Sequence, residues 1–458
     1  MAAVASEALA ELRASLHGDL IGSDDARYDE ARAVYNAMID KRPAAVARCA
    51  DTADVIAAIA FARRHGLDVA VRCGGHNGAG LGTVDGGLVI DLSPMSDITV
   101  DPATRTVRVQ GGATLGSVDQ ATNPHGLAVP AGIISTTGVG GLTLGGGLGH
   151  LTRKHGLTID NLAAAEVVLA DGSVVTADAE HEADLFWALR GGGGNFGVVT
   201  SFTFRAHEVS NVFAGPVIYA MEDAADVLAW YREFILQAPE ELGGFFAFLS
   251  VPPGPPFPEE LHLRKVCAVV WCWTGDGDAP ALKEARSFGT PVLDGIAPMP
   301  LPVWQSAFDG VYPPGDQWYW RADFVDSIPD AAIERHVEFG AALPTWKSTM
   351  HLYPIDGAPS RVGEDETAWA YRDAKWAQVM VGVDPDPANA ELVKQWTIDY
   401  WDALHPYSLG GAYVNFMMDE GQERVQATYR GNYGRLARVK AHYDPDNFFH
   451  VNQNIRPA

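Results

Sequence analysis

The sequence predicts an α+β protein of two domains, and three observations carry that expectation. The chain has 458 residues, too many for one hydrophobic core, which stops growing at about 250–300 residues. Residues 44–206 alternate short strand patterns with one strong helix pattern and several glycine-rich turns. After about residue 208 the texture changes to prolines, tryptophans and long apolar segments such as "LRKVCAVVWCWTG" and "DQWYWRADFV". A second unit, with a sheet and covering helices, is expected there.

The elements follow in order. The opening "MAAVASEALAELRASLHG" places acidic residues before its first Arg, lacks the basic n-region of a signal peptide and reads as an amphipathic helix. Residues 44–72 read strand, helix, strand. "DTADVIAAIAFARRHG" has Asp51 as its N-cap, apolar residues at helical spacing, two arginines near its end and Gly66 as its stop. "LDVAVR" is the next strand and delivers the chain to a glycine loop around His76; "GGLVIDL" is another strand. "ITVDPATRTVRVQGG" reads as a hairpin around "DPAT". "AAEVVLADGSVVTAD" reads as a second hairpin, with Asp171-Gly172 as a two-residue turn. "GNFGVVTSFTFRA" closes the region as a strand, and the last stretch from "YVNF" onward returns to helix and loop.

Bulk properties narrow the function classes. Apolar content is 47% and charged content 20%, ordinary for a globular protein. The longest apolar runs, such as "VIAAIAFA", have eight residues, against roughly 20 for a membrane-spanning helix. A cytoplasmic protein with no membrane partner is expected. The net charge of −25 repels phosphate backbones and argues against a nucleic-acid partner. Cys49, Cys73, Cys267 and Cys272 are scattered, with no CxxC pair, so neither a zinc site nor a disulfide framework is indicated. No metal-ligand spacing stands out either.

Three glycine-rich segments stand out: residues 74–87, residues 138–150 and "RGGGGNFG" at 190–197. Missing side chains let amide N–H groups converge on an anion. Three such loops in one region suggest a large ligand bearing phosphates. A nicotinamide dinucleotide site is the rival. However, "GGGLGH" is not preceded by an apolar strand, and no acidic residue follows at the usual distance.

The pieces "RCGGHNGAG", "GGLVIDLSPM", "PAGIISTTGVGGLTLGGGLGHLTRKHGLTIDNL", "LFWALRGGGGNFGVVTSFTF" and "YDPDNFFHVNQNI", in that order, resemble a known family. It is the FAD-linked oxidases of the vanillyl-alcohol-oxidase (PCMH-type) superfamily, in the berberine-bridge-enzyme-like branch with the bacterial hydroxynicotine oxidases. The resemblance covers about residues 40–207 and 411–455; the middle matches only loosely. It implies a two-domain PCMH-type FAD-binding fold: an FAD-binding domain over 1–207, a substrate-binding domain with an antiparallel sheet over 208–410, and a C-terminal segment, 411–458, completing the first.

The resemblance also implies a cofactor and its contacts. FAD is expected to be attached covalently through His76, a competent nucleophile when neutral. A second, cysteinyl attachment is not expected, because Ile134 occupies that position. Cys73 is read as a small buried hydrophobe. Arg72, Gly74, Gly75, Asn77 and Gly78 are expected along the pyrophosphate and flavin edge. Thr137, Gly138 and Gly141 supply backbone donors, and Gly145 and Gly149 continue that wall. Asn161 and Val199 approach the adenine half, and Asn452 the flavin's pyrimidine end. Tyr413 in "GAYVNF" is the expected catalytic base, with Asn415 bonded to the flavin or orienting the tyrosine. A phenol of pKa ~10 is a poor base at neutral pH, so a cationic neighbour or the flavin's own electrostatics must serve it. His150 and His155 read as loop or wall residues rather than catalytic ones, and His351, His405 and His442 show no partner pattern. Trp318 and Trp320 read as core residues, with a substrate-facing role as the alternative.

The activity implied is flavin-dependent oxidation of an alcohol, amine or related C–H, with a small-molecule substrate and dioxygen as partners and hydrogen peroxide as product. A same-fold dehydrogenase using another acceptor, a flavin-binding protein without turnover, and a nicotinamide-dependent reductase remain as alternatives.

Overall fold

The first long helix begins where an acceptor side chain meets an orphan amide. Asp51 is extended and its carboxylate accepts from the Asp54 N–H; the helix Thr52–His65 then runs to Gly66, whose φ of +61° turns the chain back. The strands Ala45–Arg48 and Val69–Arg72 flank this helix in sequence, and both pair in parallel with Leu88–Asp91. A crossover helix is the connection that parallel neighbours need. Asp19–Gly22 adds an antiparallel edge that no sequence pattern announced. The computed structural model describes residues 6–277 and 279–458. Its N-terminal helix is Ser6–Ser15; residues 1–5 of the stretch expected to form it lie outside the described residues.

A second sheet has five antiparallel strands among the described residues, in the order Ile98–Asp101, Thr106–Gln110, Val198–Arg205, Leu162–Val168, Val174–Asp178. The hairpin around "DPAT" forms as expected. The second hairpin forms too, but its turn is longer than expected. Its ladder runs to the Val168–Val174 pair, and the Leu169 N–H donates to Ser173 O, leaving Ala170, Asp171 and Gly172 in the loop. Gly172 takes the left-handed position at φ +85°, and the Asp171 carboxylate accepts from the Ser173 N–H and hydroxyl. This is the three-residue loop that an Asp-Gly pair also suits.

The largest sheet is antiparallel and eight-stranded among the described residues. From one edge it runs Leu293–Asp294, Asn211–Ala220, Lys265–Trp273, Leu242–Ser250, Thr349–Pro354, Trp376–Asp384 and Gln317–Val325, with Ala297–Pro300 pairing beside the second. Its two faces differ because side chains alternate along each strand. Phe246, Phe248, Met350, Leu352, Trp376 and Met380 pack with Tyr231, Trp396 and Tyr400 from the covering helices Ala224–Gln237 and Ala390–Leu404. Their sequence neighbours Phe245, His351, Tyr353, Val379 and Val381 face a cavity on the other side.

The chain then returns to the third glycine segment through the helices Gln422–Tyr429 and Tyr433–Tyr443. Lys440 is 0% exposed and donates to Asp444 (2.6 Å), Asn195 O (2.6 Å) and Phe449 O (2.9 Å). A buried ammonium is tolerable here because every proton has an acceptor. Ile455 N–H donates to Asn195 Oδ1 and Asn452 Nδ2 to Gly194 O, so the C-terminal stretch is tied to that loop at several points. No helix among the described residues is long and apolar enough to cross a membrane.

Candidate active site

The cavity has a volume of about 690 Å³ and is lined both by all three glycine segments and by the large sheet. The first segment reaches it through residues 74–77 and 81–82, the second through 138, 140–142, 144 and 148, with Thr137 just before it, and the third through 193–195 and 197. Gly75 has φ +70°, and the amide N–H groups of Gly75, His76 and Asn77 donate to no protein group among the described residues. Unpaired amides on a curled loop are what an anionic ligand needs.

The glycines divide by what a side chain would meet. A Cβ on Gly138 would lie 2.3 Å from Cys73 Sγ and 2.4 Å from Gly74 N, so bare backbone there lets the first two loops touch. A Cβ on Gly141 or Gly194 would meet nothing within 4 Å. Those positions border open cavity, with backbone exposed to a ligand. Asn452 also lines the cavity, and its Oδ1 is buried without a partner, an acceptor that a ligand N–H would satisfy. These features fit a large phosphate-bearing ligand with a planar, hydrogen-bonding head, as FAD is.

His76 stands at the centre of the first loop. Its ring stacks on Tyr35 with centroids 4.0 Å apart. Nε2 lies 3.0 Å from the Thr136 hydroxyl, and Nδ1 3.5 Å from that of Thr137. Protein walls strip water from the imidazole, which pulls its pKa down to about 4, with the Thr136 backbone opposing weakly. The ring is therefore neutral at pH 7, with a lone pair on one nitrogen.

Tyr413 lies in the same cavity. Its hydroxyl accepts from the Gly147 N–H (2.9 Å) and from Asn415 Nδ2 (2.8 Å). Burial pushes its pKa up to about 12 despite these donors. No Lys or Arg among the described residues contributes to that balance. Of the two aids expected for Tyr413, a cationic neighbour or the flavin's own electrostatics, the first has no Lys or Arg to supply it among the described residues; two N–H donors meet the hydroxyl, and Asn415 is bonded to it. A phenol oxygen already accepting two bonds acts as a donor while protonated and is held as an oxyanion once it loses its proton.

The other expected residues separate into two groups. Arg72, Gly74, Thr137, Val199 and Ile134 line the cavity. Arg72, however, is paired with Asp91 at 2.9 Å and donates to Ala31 O and Ala33 O, so its charge holds the loop rather than reaching inward. Gly78, Gly145, Gly149 and Asn161 do not line the cavity. A Cβ on Gly78 would strike the Trp320 indole at 2.1 Å, one on Gly145 the Asn415 amide at 2.2 Å, and one on Gly149 Ala131 O at 2.0 Å. These glycines serve close packing. Asn161 donates to His155 O and Leu157 O and meets His207 Nε2 at 2.6 Å, a local brace. His150, 6% exposed, is kept neutral by burial, with its pKa at about 3, and stands outside the lining, next to Phe245 and Trp304.

Sequence patterns missed Tyr35 and the His351–Tyr353 pair. Trp318 and Trp320, read as core residues with a substrate-facing role as the alternative, both line the cavity, and Trp318 also packs in the core; Tyr35 carried no signal at all. His351 does have a partner: Nδ1 lies 2.7 Å from the Tyr353 hydroxyl, and both side chains face the cavity. The signal was His-x-Tyr in a strand, where residues two apart share a face. His405 also has one, Asp323 at 3.1 Å, within a buried cluster that includes Arg424.

The family model described as "FAD binding domain" matches residues 43–178, and the one described as "Berberine and berberine like" matches residues 412–456. An FAD-linked oxidoreductase of Dictyostelium discoideum is 34% identical over 88% of this chain and 86% of its own length. A xylooligosaccharide oxidase of Thermothelomyces thermophilus is 30% identical over 93% of this chain and 89% of its own. The crystal structure of 6-hydroxy-D-nicotine oxidase from Arthrobacter nicotinovorans superposes with a TM-score of 0.87 at 27% identity, covering 97% of this chain and 99% of that one.

Proposed function

The chain belongs to the FAD-linked oxidoreductases with a berberine-like C-terminal segment, and from that premise we propose a covalent flavoprotein oxidase acting on a small organic alcohol or amine. Residues 1–207 with 411–458 hold FAD, and residues 208–410 supply most of the substrate wall. His76 carries the flavin as the single point of attachment. The observation that supports this best is a neutral imidazole, pKa about 4, set in a loop of unpaired amides that borders the cavity.

Two electrons and two protons leave the substrate: a hydride from carbon, and a proton from the attached O–H or N–H. Bound FAD supplies the two-electron acceptor, and dioxygen finally takes the equivalents as hydrogen peroxide. Tyr413 takes the substrate proton as phenolate, held by the Gly147 N–H and Asn415. Asn415 is itself fixed by a bond to Leu142 O and by Gly145, which leaves it room. The aromatic side chains of the large sheet exclude water and fix the substrate's plane.

Acid denaturation tests the attachment. Yellow colour should pellet with the wild-type protein and stay in solution for His76→Ala. Colour that still pellets from that variant removes His76 from the proposal. Mixing the anaerobically reduced protein with air separates the oxidase from the dehydrogenase alternative, which predicts slow reoxidation.

A further inference from the structure

The chain carries a net charge of −25, yet its cavity is almost free of charge. Arg72 is the one side chain lining it, among the described residues, with a formal charge at pH 7, and that charge is paired with Asp91. No Asp, Glu or Lys of the described residues lines it. Much of the wall of the cavity that holds Tyr413 is aromatic: Phe245, Trp304, Phe308, Trp318, Trp320 and Phe416. Within it one strand presents a polar row, Thr349, His351 and Tyr353, because alternate residues share a face. Phe416 links this row to Tyr413, its ring centroid 5.9 Å from that of Tyr353 and 4.8 Å from that of Tyr413.

His351 and Tyr353 form a hydrogen-bonded pair at 2.7 Å. Thr349 is occupied with Phe248 O. His351 Nε2 has no protein partner among the described residues. Whichever tautomer is present, one proton closes the bond within the pair, and another donor or acceptor is left for a ligand. Burial keeps His351 neutral, with its pKa at about 3, so the pair is dipolar rather than charged.

We propose that this site takes an uncharged, ring-bearing aromatic alcohol, and that the His351–Tyr353 pair is the positioning contact for its hydroxyl. The inference rests on the reading of Tyr413 as the group beside the reacting carbon. An ammonium or carboxylate entering this wall would lose its hydration without meeting a counter-charge. A disaccharide would bring more hydroxyls than the row can satisfy, and unpaired buried hydroxyls weaken binding. A fused aromatic ring matches the wall's faces, and one hydroxyl matches the His351–Tyr353 pair, which can both donate and accept, whereas the unpartnered indole N–H groups of Trp304, Trp318 and Trp320 can only donate.

The test is a binding series read by quenching of the protein's tryptophans, four of which line the cavity. The probes are 2-naphthylmethanol, 2-naphthylmethylamine, 2-naphthoate, xylobiose and 2-methylnaphthalene, each at pH 7. The alcohol should bind about tenfold or more tightly than the cation, the anion and the disaccharide. Tyr353→Phe, which removes only the hydroxyl, should weaken the alcohol about fivefold and leave 2-methylnaphthalene unchanged. His351→Gln should repeat that split if the pair acts as a unit. Equal or tighter binding of a charged probe or of xylobiose overturns the substrate class. An equal loss for both naphthalenes in Tyr353→Phe overturns the positioning role. Anaerobic flavin reduction separates this inference from the oxidase reading. Reduction by an amine with no binding of 2-naphthylmethanol retains the oxidase and overturns the inference. The binding preference with no reduction by any alcohol retains the inference and counts against the oxidase.

Discussion

Asn415→Leu should move the pH dependence of flavin reduction without emptying the site. The Tyr413 hydroxyl accepts two bonds, at 2.9 Å from the Gly147 N–H and 2.8 Å from Asn415 Nδ2, and its pKa stands at about 12. Below that value the phenolate fraction rises tenfold per pH unit, so a reaction that needs phenolate rises with it. A hydrogen bond to a charged group is worth about 1.5–3 kcal/mol. At 1.36 kcal/mol per pKa unit, losing the Asn415 bond lifts the tyrosine by roughly one to two pH units. At fixed pH on the rising limb the reduction rate then falls about 10–100-fold. The assay is anaerobic stopped-flow reduction of the bound flavin across the alkaline range, with 2-naphthylmethanol or any substrate found. Wild type and Asn415→Leu should give parallel rising limbs, the variant displaced to higher pH, with flavin content unchanged. Tyr413→Phe should lose the limb. Coincident limbs for wild type and Asn415→Leu, or a limb retained in Tyr413→Phe, would refute the assignment of Tyr413 as the proton acceptor.

Gly145→Ala should reproduce the Asn415 phenotype in the same assay, because its Cβ would lie 2.2 Å from the Asn415 amide while Gly145 keeps an ordinary φ of −86°. Gly138→Ala should instead force the first two loops apart, costing about 1–3 kcal/mol in urea unfolding and lowering the flavin-to-protein absorbance ratio. Lys440→Met leaves Asp444 buried at 0% exposure without its partner, a loss of about 3–5 kcal/mol, and should loosen the C-terminal stretch to proteolysis before the large sheet. Acid should destabilise the protein early. His150 and His336, 6% and 1% exposed, have pKa values lowered by burial from 6.5 to about 3. The unfolded chain binds their protons first, so their contribution is complete well above pH 6.5 and drains away as the pH falls towards 3. Urea midpoints at pH 8, 6.5 and 5 should show a small drop over the first interval from these groups, about 0.4 kcal/mol each, and a larger one over the second.

What was legible in the sequence was local, or was carried by absent side chains. Asp51 and Gly66 bound their helix because capping involves atoms three or four residues apart. The "DPAT" hairpin was legible for the same reason. The Asp-Gly turn was read one residue short, because a two-residue and a three-residue loop use the same pair and differ only in where the ladder ends. Tyr35 on His76 and Asp323 beside His405 join distant positions, and no spacing encodes such contacts. His351 and Tyr353 were within reach: two residues apart in a strand, they needed only the knowledge that this face of the sheet is the inner one.

The glycine runs carry a more general lesson about reading a site from sequence. A glycine reports that a Cβ is unwelcome, but not what excludes it. At Gly138 the excluding group is the neighbouring loop, at Gly145 the Asn415 amide, at Gly78 the Trp320 indole; at Gly141 and Gly194 no protein atom lies in the way. The first three would be selected in an empty, well-packed protein, whereas the last two need another reason, and a ligand approaching bare backbone is one. Adding a methyl group therefore distinguishes the two kinds in solution. Gly141→Ala and Gly194→Ala should leave urea stability of the flavin-free protein within about 0.5 kcal/mol after helix propensity is allowed for, while reducing flavin retention. Gly138→Ala should lower both. Equal loss of apoprotein stability in all three variants would mean that the open positions are structural after all, and that the cradle has been drawn in the wrong place.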